Sequence, residues 1–209
     1  MNRSKRTSIS LLLGALLTVM LVGGTLAYLT TTTETRVNNF TFLGDSDINA
    51  TLTEPAWDPA KGLNLTPGTV VPKDPIITNT STNNLEVYAA MRVTFKNGSG
   101  VTLTSVEHTR LMTLVTINWA TSATWTPVGT AGPVTIYNYT TKLASTGATS
   151  VTAPLFTTVT INSNVTTADM EWLKTTLGGF SITIDGAAVQ ASGYATWNLA
   201  QTELNALFI

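Results

Sequence analysis

The chain has 209 residues, no cysteine, 11 basic against 12 acidic side chains, and a formal net charge of −1. That composition excludes a disulfide frame and thiolate metal sites, and it argues against the clustered positive surface that nucleic acid requires. Charged residues supply only 11% of the chain and threonine about a fifth, a bias toward β-branched side chains that fit a pleated sheet.

Arg3, Lys5 and Arg6 form a basic head, followed by an apolar core from Ile9 to Val22 that is interrupted only by Ser10, Gly14 and Thr18. This is the build of a secretory signal. Thr25 and Ala27 stand at the −3 and −1 positions of a signal-peptidase site, placing the cut between Ala27 and Tyr28. A retained membrane anchor is the alternative, since Ile9 to Leu29 is just long enough to cross a hydrocarbon core of about 30 Å. Gly23, Gly24, Thr25 and Ala27 suit a peptidase better than a stop-transfer end. Cleavage leaves about 180 residues with eight basic and twelve acidic side chains, a formal charge of about −4, and enough chain for one domain with a sizeable core. The expected organisation is a signal peptide over 1–27, an extended N-terminal segment over 28–36 and a β-sandwich domain over 37–209. Contact with the membrane is expected only through the signal before cleavage, and the product is expected to be secreted, in the extracellular matrix or on the cell surface.

The segment Tyr28, Leu29, Thr30, Thr31, Thr32, Thr33, Glu34, Thr35 and Arg36 is too polar to fold on itself. Its threonines have high strand propensity and it holds no proline, so it is a candidate donor strand that completes an open sheet elsewhere. The competing reading is a terminus that frays once the signal is cut.

Downstream, EVYAAMRVTF (86–95) alternates, with Val87, Ala89, Met91, Val93 and Phe95 on one face, and predicts a half-buried strand. NGSG (97–100) then VTLTSV predicts a hairpin. Short apolar runs at 37–43, 47–53, 74–80, 111–119, 133–140 and 155–161, with FSITI at 180–184, bring the expected total to eight or nine strands. Such spacing suggests an all-β, two-sheet sandwich. TTADMEWLKTTLG (166–178) starts on a threonine cap and stops at Gly178, which predicts a short helix. TWNLAQTELNALF (196–208) predicts a second helix or terminal cap. Pro55, Pro59, Pro67, Pro72 and Pro75 crowd one stretch, which predicts an extended loop carrying Trp57, either a binding loop or a structural crossover.

No catalytic constellation emerges, and neither enzyme activity nor a bound cofactor or metal is expected. His108 is the single histidine, expected at the surface or in a turn, and the usual zinc ligand sets cannot be assembled around it. Serines and aspartates are present, but no Gly-x-Ser-x-Gly elbow marks a nucleophile. Asp45 and Asp47 resemble half of a calcium loop without its later glutamate. Several Asn-x-Ser/Thr triplets occur, for example at Asn64, Asn79, Asn138 and Asn164, as expected by chance in a threonine-rich chain. The lysines Lys61, Lys73, Lys96, Lys142 and Lys174 are few; one of them, buried beside Asn or Asp and an acidic catalyst, would form a self-made amide crosslink.

Four stretches carry a resemblance: GTLAYLTTTTETRVNNFTFLGDSDINATLTEPAWDP, PGTVVPKDPIITNTSTNNLEVYAAMRVTF, LFTTVTI and GFSITIDGAAVQASGYATW. Their AYLT junction, EPxWDP-like start, PGxxVPKDPxxTNT loop and AVQAxGF-like ending resemble the exported Gram-positive proteins related to TasA and camelysin, which are processed by a SipW-type signal peptidase. Ser46 and Tyr194 depart from the family pattern. The resemblance implies a jelly-roll-like β-sandwich with one or two short helices, secreted and polymerised into biofilm-matrix fibres, each subunit lending its N-terminal strand to the next. The implied partners are further copies of the chain, head to tail, with the signal peptidase during export and anchoring or minor fibre subunits beside them. The metalloprotease activity described for camelysin does not carry over, because no HExxH motif is present. Beside a fibre subunit stand a monomeric glycan- or polymer-binding surface module using Trp57, Trp119 or Trp125 and, more remotely, a secreted metallopeptidase.

Overall fold

The computed structural model describes residues 30–32, 38–39, 48–82 and 84–208. Among them run the strands β1 (Thr30–Thr32), β2 (Asn38–Asn39), β3 (Ala50–Thr53), β4 (Val70–Pro72), β5 (Ile76–Asn79), β6 (Val87–Asn97), β7 (Val115–Trp119), β8 (Trp125–Pro127), β9 (Val134–Tyr139), β10 (Phe156–Ile161) and β11 (Phe180–Gln190). The α-helices are α1 (Ser105–Leu114), α2 (Thr167–Glu171) and α3 (Trp197–Ala206). The fold is all-β and sandwich-like. One layer is a five-stranded antiparallel sheet in the order β1-β11-β6-β9-β8, and the other comprises two three-stranded sheets, β4-β10-β7 and β2-β3-β5.

The two small sheets follow one another because residues 70–79 run antiparallel to 151–161. Val70 faces Thr160 and Pro72 faces Thr158. Further along, Leu155 N–H donates to the Pro75 carbonyl, Thr152 N–H to the Ile77 carbonyl, and Thr78 bridges Val151. Between the layers, Ala89, Met91, Val93 and Phe95 of β6 meet Leu52, Ile77, Ile117, Phe156 and Ile161.

The inward face of β6 is the one its alternation predicts. Its other face differs from the expectation of a half-buried strand: Tyr88 and Ala90 are also buried, under Ala200, Leu204 and Phe208 at the C-terminal end of the chain. Helix α3 supplies that cover, and Arg92 fastens it. The Arg92 guanidinium donates to Asp185 Oδ2 at 2.7 and 2.9 Å and to the Phe208 carbonyl, and it stacks over the Phe208 ring.

The stretch read as a returning hairpin strand, 101–106, returns only briefly: Thr102 bridges Lys96, with Asn97 N–H donating to the Val101 carbonyl and Leu103 N–H to the Phe95 carbonyl, before α1 begins at Ser105. Thr104 accepts from Glu107 N–H while the Glu107 carboxylate accepts from Thr104 N–H, a reciprocal capping box that satisfies donors a helix start otherwise leaves orphaned. Residues 111–114, read as the start of a strand, therefore close a helix, and β7 begins at Val115. The predicted helix at 166–178 appears as α2 continuing into a π-helical turn over Trp172–Thr176. It stops where Gly178 and Gly179 take positive φ of 68° and 91°. The Asn-Gly turn packs on that stop: Gly98 N–H donates to the Leu177 carbonyl at 3.0 Å, and a Cβ on Gly98 would lie 1.9 Å from the Gly178 carbonyl oxygen.

Candidate functional site: the N-terminal strand and its sheet edge

Of the candidate donor segment, Thr30–Thr32 are described and form the edge strand of the five-stranded sheet. Thr30, Thr31 and Thr32 pair antiparallel with Val189, Ala188 and Ala187 of β11. Tyr28, Leu29, Thr33, Glu34, Thr35 and Arg36 lie outside the described residues, as do Ala27 and the predicted cleavage junction, and the aspartates Asp45 and Asp47. The polarity of the segment suggested that it would find no place on its own chain; the structure places Thr30–Thr32 on their own β11. An edge strand needs little apolar surface of its own, because the ladder is made by backbone groups and threonine is compatible with it.

The receiving edge is sheltered on both faces. Ala188 belongs to the core between the layers, while Ala187 and Val189 sit under α3, and all three are fully buried. On its other side β11 is paired with β6 along its whole length, from Phe180 opposite Asn97 to Gln190 opposite Val87. A strand arriving at Ala187–Val189 therefore docks onto a rigid two-strand platform.

The three tryptophans proposed as a binding surface are engaged within the fold. Trp125 is 2% exposed, and its indole N–H donates to the Ala153 carbonyl at 3.0 Å. Trp119 stacks on Tyr137 and meets Phe156 edge-on, with ring centroids 5.1 and 5.0 Å apart. Trp57 lies under the Lys73 ammonium, 4.8 Å from the ring centroid, and a Cβ on Gly62 would reach within 2.8 Å of it.

This last contact belongs to a clasp between the two proline-rich motifs. Lys73 Nζ donates to both oxygens of Glu54 at 2.6 and 2.7 Å, while Asp74 Oδ1 accepts from Ala56 N–H. Lys73 is the buried lysine among the described residues. Its side-chain partner is Glu54, and among the described residues no Asn or Asp side chain is hydrogen-bonded to it, as a self-made amide would need. The family-like motifs EPAWDP and VPKDP were visible in the sequence; that Glu54 would meet Lys73 was not.

His108 corrects its expectation. It is buried, edge-on to Phe95 at 4.8 Å between centroids, and burial lowers its pKa from the ordinary 6.5. The unfolded chain thus binds the proton at higher pH than the folded one. Stability is full above about pH 6.5 and falls on acidification through the window between that value and the lowered one. We expect urea midpoints at pH 7 and pH 5 to diverge in the natural protein, with the gap narrowed in His108→Leu.

Among the described residues no group of three His, Cys, Asp or Glu side chains is placed to hold a metal, and no helix is long and apolar enough to cross a membrane. A shallow groove of about 550 Å³ is lined by Gly68, Thr116, Thr160, Asn162, Ser163 and Asn164; none of these titrates near neutrality. Asn79 and Asn138 are buried, which closes these two Asn-x-Ser/Thr triplets to modification in the folded state. Compared with known proteins, the chain matches no family model, no curated protein and no solved structure.

Proposed function

We propose that this chain is a secreted, non-enzymatic structural subunit of the TasA and camelysin kind, which assembles into extracellular fibres by lending residues 28–36 to a neighbouring copy. The observation that carries this reading is the antiparallel pairing of Thr30–Thr32 with Ala187–Val189. What an edge accepts from its own chain it accepts equally from an identical segment of another chain, because the hydrogen bonds and register are the same. Head-to-tail exchange of this kind is heterologous and does not close, so it propagates a filament. The cis pairing makes the monomer self-capped, which blunts the aggregation hazard of an open edge until exchange occurs.

The test is negative-stain electron microscopy on protein beginning at Tyr28, beside a variant carrying Thr31→Cys and Ala188→Cys. The chain has no native cysteine, so the only disulfide is the one joining these opposed positions. We expect filaments from the natural protein, monomers from the oxidised variant, and filaments again after reduction. Filaments from the fully oxidised monomer would eliminate strand exchange, and a natural protein that stays monomeric under all conditions would eliminate the fibre.

A further inference from the structure

We propose that Asn97 and Gly98 form a self-modification site, where the Asn97 side chain closes on the Gly98 nitrogen with loss of ammonia, and that the helix stop at Gly178 holds this reaction in check. The inference does not depend on strand donation, since it concerns the end of β11 at Phe180, away from Ala187–Val189.

Closure needs an unhindered backbone nitrogen directly after the asparagine, and only glycine has no Cβ to stand in the way. Asn97 is the one asparagine of this chain that glycine follows. The step balances within the chain: the Gly98 nitrogen gives up its proton and bonds to the side-chain carbonyl carbon of Asn97, and the carboxamide nitrogen leaves as ammonia. The cyclic imide then takes up water, which opens it to aspartate or isoaspartate. Gly98 and Ser99 are exposed, so water reaches the turn.

The folded geometry stands against that step at both reacting groups. Gly98 N–H is committed to the Leu177 carbonyl at 3.0 Å, which holds the proton that must leave. Asn97 Oδ1 accepts from Ser99 N–H and from Val101 N–H, each at 3.0 Å, which fixes the carboxamide. Nor is the backbone free to swing, because Asn97 pairs with Phe180 and a Cβ on Gly98 would lie 1.9 Å from the Gly178 carbonyl oxygen. The Leu177 carbonyl follows the π-helical turn Trp172–Thr176 and is among those a helix end leaves without an internal partner. Capping it with Gly98 N–H makes closure wait until the turn lifts from the helix stop. An exposed turn of glycine and serine has few apolar contacts to lose, so it opens locally without unfolding the sandwich.

Conversion is one-way. Isoaspartate routes the main chain through the former side-chain carbon, lengthening it by one atom and leaving a carboxylate beside the turn. Gly98 N–H then cannot regain its old place on Leu177, so the joint between turn and helix stays open.

The experiment uses the full mature protein at mildly alkaline pH, folded in buffer and unfolded in urea, with conversion at each asparagine followed by peptide mass spectrometry. We expect Asn97 to convert first in urea, and about tenfold or more slowly in the folded protein, the factor that one such hydrogen-bonded contact implies. Equal rates in the two states would overturn the check. A rate at Asn97 in urea no faster than at Asn162, which serine follows, would overturn the site. Gly178→Ala strains the helix stop, whose φ is 68°, and leaves Asn97 and Gly98 unaltered. Shown to be folded by circular dichroism, that variant should convert faster at Asn97 than the natural protein; an unchanged rate would overturn the role of the stop. Hydrogen exchange on the isolated isoaspartate form supplies the last measurement: Gly98 should have lost its protection, and retained protection would overturn the one-way joint.

Discussion

Protein that starts at residue 37 is expected to keep the sandwich and form no filaments at all. The described core residues fall between Ile48 and Phe208, and that core is expected to sustain the fold without the N-terminal segment. The described part of β1 contributes three cross-strand pairs at one edge, each worth roughly 0.2–1 kcal/mol. Their loss lowers the thermal midpoint by at most about 12 °C for a domain of this size. The effect on assembly is of a different order, because in a strand-exchanged polymer the segment is the link itself. A synthetic peptide of residues 28–36 should restore the lost midpoint by occupying Ala187–Val189 in trans. Filaments of unchanged form from the truncated protein would rule out donation by this segment.

How much of this was legible beforehand depends on where local pattern and tertiary context agree. The alternation of 86–95 corresponds to β6, and the runs at 74–80, 133–140 and 155–161 correspond to β5, β9 and β10. For β11 the alternation at 180–184 revealed less than half the strand. Its second part, Gly186, Ala187 and Ala188, has weak strand propensity and is held by β6 on one side and β1 on the other. That unread half is where the candidate assembly edge lies. Helix α1 was hidden because its apolar residues are sparse and its last four merge with β7 into one apolar run; the Thr104-to-Glu107 capping signature was present and outweighed by the hairpin signal before it. The short strands β4 and β8 were missed as well. Three residues hold too little period to read, and both end on proline, which an edge tolerates. His108 looked like a turn residue because sequence does not disclose that Phe95 would lie against it.

Replacing Trp125 with alanine should destabilise the fold by about 4 kcal/mol or more, a large share of the roughly 5–15 kcal/mol that holds a domain together. The indole is fully enclosed, tilted against Tyr139 at 4.9 Å between centroids. Together the two aromatics satisfy both backbone polar groups of Ala153: the Trp125 indole N–H donates to the Ala153 carbonyl, and the Tyr139 hydroxyl accepts from Ala153 N–H at 3.2 Å. Alanine leaves a cavity and an orphaned carbonyl at once. Trp125→Phe keeps much of the ring volume and loses the donor, so it should cost about 1–3 kcal/mol. Denaturant midpoints of the two variants separate packing from hydrogen bonding. The same pair bears on the surface-module reading, in which Trp125 would act on a glycan or polymer from a stable monomer. A Trp125→Ala protein with an unchanged midpoint and a lost ligand would favour that module. A collapsed midpoint assigns the side chain to the core.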